Sequence, residues 1–132
     1  MTDMAEQECI VPACRDPEHE LPVATAWRDT LEKIVDRLAS GDYSLRGCPG
    51  VEAGRPGVLS QMGSYIADYG ETIVALPKES WDSSVAQWTS GYWDVIVDLW
   101  TEESGRSDLV LKVRVLEDSD GYTFQVNGVY VP

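Results

Sequence analysis

Residues 92–101 read YWDVIVDLWT, and the alternation in this stretch decides the fold. Trp93, Val95, Val97 and Leu99 fall on one side of a period of two, and Asp94, Ile96, Asp98 and Trp100 on the other. Residues two apart share a face of a strand, so this strand has one apolar and one mixed face. The pattern returns in 107–117, SDLVLKVRVLE, through Leu109, Leu111, Val113 and Val115. It returns again in 122–131, YTFQVNGVYV, through Phe124, Val126 and Tyr130, with Gly128 between them. The turn sequence DSDG joins these last two strands. Aligning the apolar sets puts Val97 opposite Val113 and Val113 opposite Val126. The other face then has the rungs Asp98–Lys112–Asn127 and Ile96–Arg114–Gln125. Trp100–Val110–Val129 forms an apolar rung at one end.

Upstream, ETIVALP (71–77) and SSVAQWT (83–89) read as two shorter strands. Pro77 ends the first, and Ser90–Gly91 is a tight turn after the second. Before residue 70 the period is helical. Trp27, Leu31, Ile34, Val35 and Leu38 form one stripe of a helix over 25–39, and the opposite face carries three acids and three bases. Val58, Met62, Tyr65, Ile66 and Tyr69 form the stripe of a second helix over 58–69, which Gly70 stops. The stretch between the helices, 41–57, holds five Gly and two Pro and reads as a long loop. Two helices followed by five strands predict an α+β fold, with an antiparallel meander in sequential order. By analogy of fold alone, cystatin-like and nuclear-transport-factor-like curved sheets share this layout.

At 132 residues the chain has room for one domain, placed at 23–132. Residues 1–22 hold six acids against Arg15 alone and are broken by Pro12, Pro17 and Pro22, so they read as a flexible acidic tail. The whole chain has 23 acidic and 10 basic residues, a formal net charge of −13. That charge repels nucleic-acid phosphates and anionic membranes and attracts a basic protein surface. It also serves solubility. There is no apolar run long enough for a membrane span and no signal-peptide pattern. With an odd number of Cys, the chain is expected to be cytoplasmic, with reduced thiols.

No motif for catalysis, metal or cofactor emerges. Cys9, Cys14, His19 and Cys48 lack the tight paired spacing of a zinc site. DSDG begins like a calcium loop, but Thr123 and Val129 stand where that loop needs Gly and Glu. His19 is the only His, so no Ser–His or Cys–His nucleophile assembles. The mixed sheet face does offer Asp94, Asp98, Trp100, Lys112, Arg114, Gln125 and Asn127 as an alternative ligand pocket. Alternating strands with one solvated side give the same pattern without any chemistry.

From LPVATAW onward, residues 21–132, the chain resembles an uncharacterised bacterial domain of unknown function. The segments YIADYGETIVALP, WDSSVAQW, YWDVIVDLWT, GRSDLVLKVRV and VYVP carry that resemblance. By size and charge it more loosely resembles the small acidic immunity proteins that neutralise bacterial toxins. That likeness implies a non-catalytic module recognising a basic protein partner. In a meander the turns alternate between the two ends of the sheet. The expected docking end therefore collects Asp68, Glu71, Glu117, Asp118 and Asp120. The competing expectation is a small-molecule or catalytic domain built on the mixed face.

Overall fold

The computed structural model describes residues 10–52 and 55–132. Its elements run β1 (Leu21–Pro22), α1 (Thr25–Ala39), β2 (Val51–Glu52), α2 (Pro56–Tyr69), α3 (Ser80–Ser83), β3 (Val85–Thr89), β4 (Tyr92–Thr101), β5 (Gly105–Asp118) and β6 (Gly121–Tyr130). The class is α+β, as the helical and two-residue periods predict. The six-stranded sheet has the order β1-β3-β4-β5-β6-β2. It is mixed rather than wholly antiparallel, because β2 pairs parallel with β6 (Val51 with Phe124, Glu52 with Gln125).

The stripe of α1 is buried as read, whereas that of α2 is buried only in part, with Val58 and Tyr69 half-buried. Trp27, Leu31, Ile34, Val35 and Leu38 of α1 are all buried, as are Met62 and Ile66 of α2, while Tyr65 is exposed. They join one core with Trp93, Val95, Val97, Leu99, Leu109, Leu111, Val113 and Val115. The helices therefore cover the apolar face of the sheet. Burial on that scale supplies the main drive for folding, at about 25 cal/mol per Å² of apolar surface.

Three sequence expectations are corrected. Residues 71–77 do not form a paired strand of the meander. They lie extended against the end of β4, through one bridge between Ile73 and Thr101 and the bonds Val74 N to Trp100 O and Glu102 N to Thr72 O. Both this segment and β3 run antiparallel along the same edge of β4. Between them, α3 fills the gap. Ser80 Oγ donates to Asp98 O at 2.8 Å, and Asp98 N donates to Ser84 Oγ at 2.9 Å. Serine hydroxyls thus replace a neighbouring strand's backbone there, because a strand edge must satisfy its N–H and C=O groups somehow.

The β4–β5 register also differs, by two residues. Val95, not Val97, faces Val113, Ile96 faces Lys112, and Trp100 faces Arg106. Toward the turn lies an irregularity between Asp98 and Trp100, beyond which the difference is four residues. Ser107 bridges it, donating to Leu99 O at 2.8 Å and accepting from Leu109 N at 3.1 Å. A shift of two keeps every side chain on its expected face. In β6, a second irregularity pairs Lys112 with Gly128 instead of Asn127. It turns Val129 into the core and Tyr130 outward, the reverse of the alternation read from sequence.

The glycine makes this second bulge possible. Gly128 has φ of +148°, and a Cβ there would lie 3.0 Å from Gln61 Oε1 of α2. Gln61 Nε2 in turn donates to Val129 O at 3.0 Å. A side chain at residue 128 would have to displace the end of the Gln61 side chain and would strain the backbone at this φ.

The segment before β1 is held at several points. Val11 N donates to Thr25 Oγ1 at 2.8 Å, and Thr25 N to Val11 O at 3.0 Å. Leu21 and Pro22 pair with Ala86 and Val85 of β3. Residues 10–22 thus form a strap across one end of the sheet. Residues 1–9, the rest of the sequence-predicted tail, lie outside the described residues.

Candidate functional site

The strap lies on an aromatic cluster. Trp88 and Trp93 pair across β3 and β4. They are the second pair back from the two-residue Ser90–Gly91 turn, whose positive φ values of 38° and 114° suit a tight hairpin. Their ring centroids are 4.8 Å apart, and Trp27 of α1 is 4.9 Å from Trp93. Tyr122 of β6 meets Trp27 edge-on at 5.7 Å. Tilted and edge-on contacts of this kind favour the ring quadrupoles. Trp93 Nε1 donates to Cys14 O at 2.8 Å, so the indole that fills the core also fixes the strap's backbone. Gln87 Nε2 adds a bond to Pro17 O at 3.0 Å.

Arg15 is the centre of this arrangement. Its guanidinium carbon lies 5.1 Å from the Trp88 ring centroid and 5.8 Å from that of Trp93. The same group pairs with the carboxylate of Glu117 at the end of β5. A cation over two indoles and against a carboxylate combines ring-quadrupole attraction with a charge-assisted hydrogen bond. Both members of the pair are largely open to solvent, at 59% and 43% side-chain exposure. In sequence, Arg15 is the one Lys or Arg among the first 22 residues. That signal was present, but nothing in the residue pattern said where the segment would lie.

The acidic residues expected at one end are divided between two. Glu117, Asp118 and Asp120 stay together at the β5–β6 turn, all exposed. Asp118 accepts from Asp120 N at 2.8 Å and from Thr123 Oγ1 at 3.1 Å, closing that turn. Asp68 and Glu71 lie at the opposite end. Glu71 accepts from Thr101 Oγ1 at 2.7 Å and Ser104 Oγ at 2.8 Å, so it braces the β4–β5 turn. Tyr69, the neighbour of Asp68, accepts from Asp108 N at 3.0 Å. The cause is the collinear placement of 71–77 and β3, which removes one reversal from the expected meander.

The mixed-face residues are also dispersed. Asp94, Arg114 and Gln125 form one rung, with Tyr92 beside it: the Arg114 guanidinium carbon lies 3.9 Å from the Tyr92 ring centroid. Asp98 is four residues further along β4, about 14 Å at strand spacing. There it faces Val110, and its carboxylate accepts from Ser83 Oγ. Trp100 lies further still, beside Arg106, and Asn127 is exposed at the bulge. Lys112 faces Ile96 and Gly128. A pocket with Asp98 and Arg114 at its base beside Trp100 does not assemble. Among the described residues, Asp94 Oδ1 and Arg114 Nε on that rung, and Trp100 Nε1 further along β4, are buried without a hydrogen-bond partner.

Shifted carboxylates mark the turns. The backbone N–H of Glu18, then the His19 ring, hold Asp16 below the usual carboxylate value. The Ser44 hydroxyl and then its N–H do the same for Asp42, and the Thr72 N–H and hydroxyl for Glu103. Each is a carboxylate accepting local hydrogen bonds that favour its charged form. A cleft of about 470 Å³ opens between α1 and α3, where Arg28 stacks on Trp81 at 5.3 Å. Arg28 is itself pinned to Val23 O by two bonds of 3.1 and 3.0 Å.

Among the described residues no group of three or more His, Cys, Asp or Glu is arranged to hold a metal ion. Cys14 is exposed, Cys48 is buried, and Cys9 lies outside the described residues. No described helix is long and apolar enough to cross a membrane. A family model, the domain of unknown function DUF7668, matches residues 35–132. No curated protein and no solved structure matches the chain.

Proposed function

The chain belongs to the family of the domain of unknown function DUF7668, and from that premise we propose that it is a non-catalytic binding module for a basic protein partner. The partner is of the kind an inhibitor or immunity protein neutralises. It docks at the sheet end that carries Glu117, Asp118 and Asp120 of the β5–β6 turn and the Trp88–Trp93 pair. The observation that supports this reading is Arg15: the end already receives a guanidinium, stacked on indoles and paired with Glu117. A net charge of −13 supplies long-range attraction for such a partner.

The test separates the site from the bulk charge. Association of a synthetic arginine-rich peptide is followed by stopped flow at several salt concentrations. One variant carries Glu117→Gln, Asp118→Asn and Asp120→Asn. A control carries Asp68→Asn, Glu102→Gln and Asp108→Asn at the far end, with the same change in charge. The reading expects the first variant to slow association by a factor of about 10 and to flatten its salt dependence, since charges around a docking surface act mainly on the on-rate. Equal slowing in both variants would mean that net charge alone attracts the peptide.

A second reading places a small ligand on the Asp94–Arg114–Gln125 rung. The unpartnered Asp94 Oδ1 and Arg114 Nε favour it, because buried polar groups ordinarily find a partner. Under that reading Arg114→Ala abolishes binding while the acidic-end variant leaves it unchanged.

A further inference from the structure

We propose that the niche of Trp88, Trp93 and Glu117 is a guanidinium-binding site occupied in the free protein by Arg15 of the same chain. An arginine of the partner enters by displacing it. This inference rests on the docking reading above and adds its specificity and its regulation.

The geometry selects arginine over lysine. A planar guanidinium stacks on a ring face and still directs N–H groups sideways to a carboxylate. The position of Arg15 makes both uses at once, over two indoles and against Glu117. An ammonium is a more strongly hydrated point charge and loses more on entering the same site.

The strap's backbone and its arginine are held independently. Val11 is bonded to Thr25, Cys14 O to Trp93 Nε1, and Pro17 O to Gln87, while β1 pins the far side. None of those bonds uses the Arg15 side chain. The side chain's own contacts are solvent-open, and exposed ion pairs of this type are weak and exchangeable. Arg15 can therefore swing out while the strap stays in place. Its advantage as an occupant is that it is tethered, which gives it a high effective concentration at the niche. The apparent affinity for an incoming arginine falls by the fraction of time the niche is filled.

The experiment uses the full chain and two peptides of equal length, one arginine-rich and one lysine-rich. Affinities are measured by calorimetry for the wild type, Arg15→Ala and Arg46→Ala. Arg46 is exposed and lies in the loop after α1, so its removal changes the net charge equally. The Trp93 indole N–H resonance reports whether the strap remains seated. The proposal expects Arg15→Ala to bind the arginine peptide several-fold more tightly than Arg46→Ala does, with a smaller gain for the lysine peptide and an unmoved Trp93 signal. Equal gains in the two variants, or weaker binding by Arg15→Ala, would overturn it. The acidic-end variants read the docking surface separately. If they behave as expected while Arg15→Ala gains nothing, only the competitor role falls. If they show no site effect either, the docking reading falls with it.

Discussion

Gly128 shows how much one residue can carry. Its positive φ disfavours a side chain and a Cβ would press on the end of Gln61, although the sequence pattern reads it as a gap between Val126 and Tyr130. Gly128→Ala is expected to destabilise by about 1–3 kcal/mol, the usual scale for a strained backbone position. Urea denaturation checks it, and an unchanged midpoint would mean that the bulge relaxes freely. Asp16 gives a pH signature at the strap. Its folded-state pKa is lowered by the Glu18 N–H and then by His19. The stabilisation is therefore present above the ordinary aspartate value of 3.8 and is lost as pH falls through the lower folded value. The Glu18 amide resonance should titrate with a midpoint below 3.8, and Asp16→Asn should remove that transition. A midpoint at or above the ordinary value would contradict the bonding described.

At the level of elements, periodicity was a reliable guide where burial alone shapes the pattern. The stripe of α1 was legible because five apolar residues repeat at a helical period, and all five are buried. The faces of β4 and β5 were legible for the same reason. Their relative register was not, since a slip of two residues preserves the pattern. Residues 71–77 misled because their apolar alternation is real, yet their partner is the end of β4 and α3 occupies the edge beyond. The parallel pairing of β2 had no signal, being two residues inside a Gly-rich loop. Two substitutions measure these elements. Leu31→Ala should cost about 2–5 kcal/mol, as for a fully buried leucine, and a loss under about 0.5 kcal/mol would contradict its burial. Ser80→Ala should cost about 1–3 kcal/mol, because it leaves the Asp98 carbonyl short of its donor. Equal stability in chemical denaturation would show that α3 is not needed at that edge.

For the molecule as a whole, charge and topology together define the surface. The excess acid was plain in the sequence, but its partition depended on the direction of one segment. Glu71 and Glu103 are engaged by hydroxyls and a backbone N–H at the β4–β5 end. Glu117 instead meets the solvent-open Arg15 guanidinium beside the half-buried Trp88 ring at the other end. Three of the five acids expected at the docking end are thus together, and Arg15, Trp88 and Trp93 lie at the same end. Their proximity was hidden because the strap is held by the Trp93 bond to Cys14, a contact between distant residues. The most direct measurement is a nitrogen-15 NMR titration of the full chain with the arginine-rich peptide. The account predicts saturable shifts confined to the Trp88 indole, Arg15 and the amides of Glu117 to Asp120. Shifts centred on Asp94, Arg114 and Gln125, or spread evenly over every acidic surface, would contradict it.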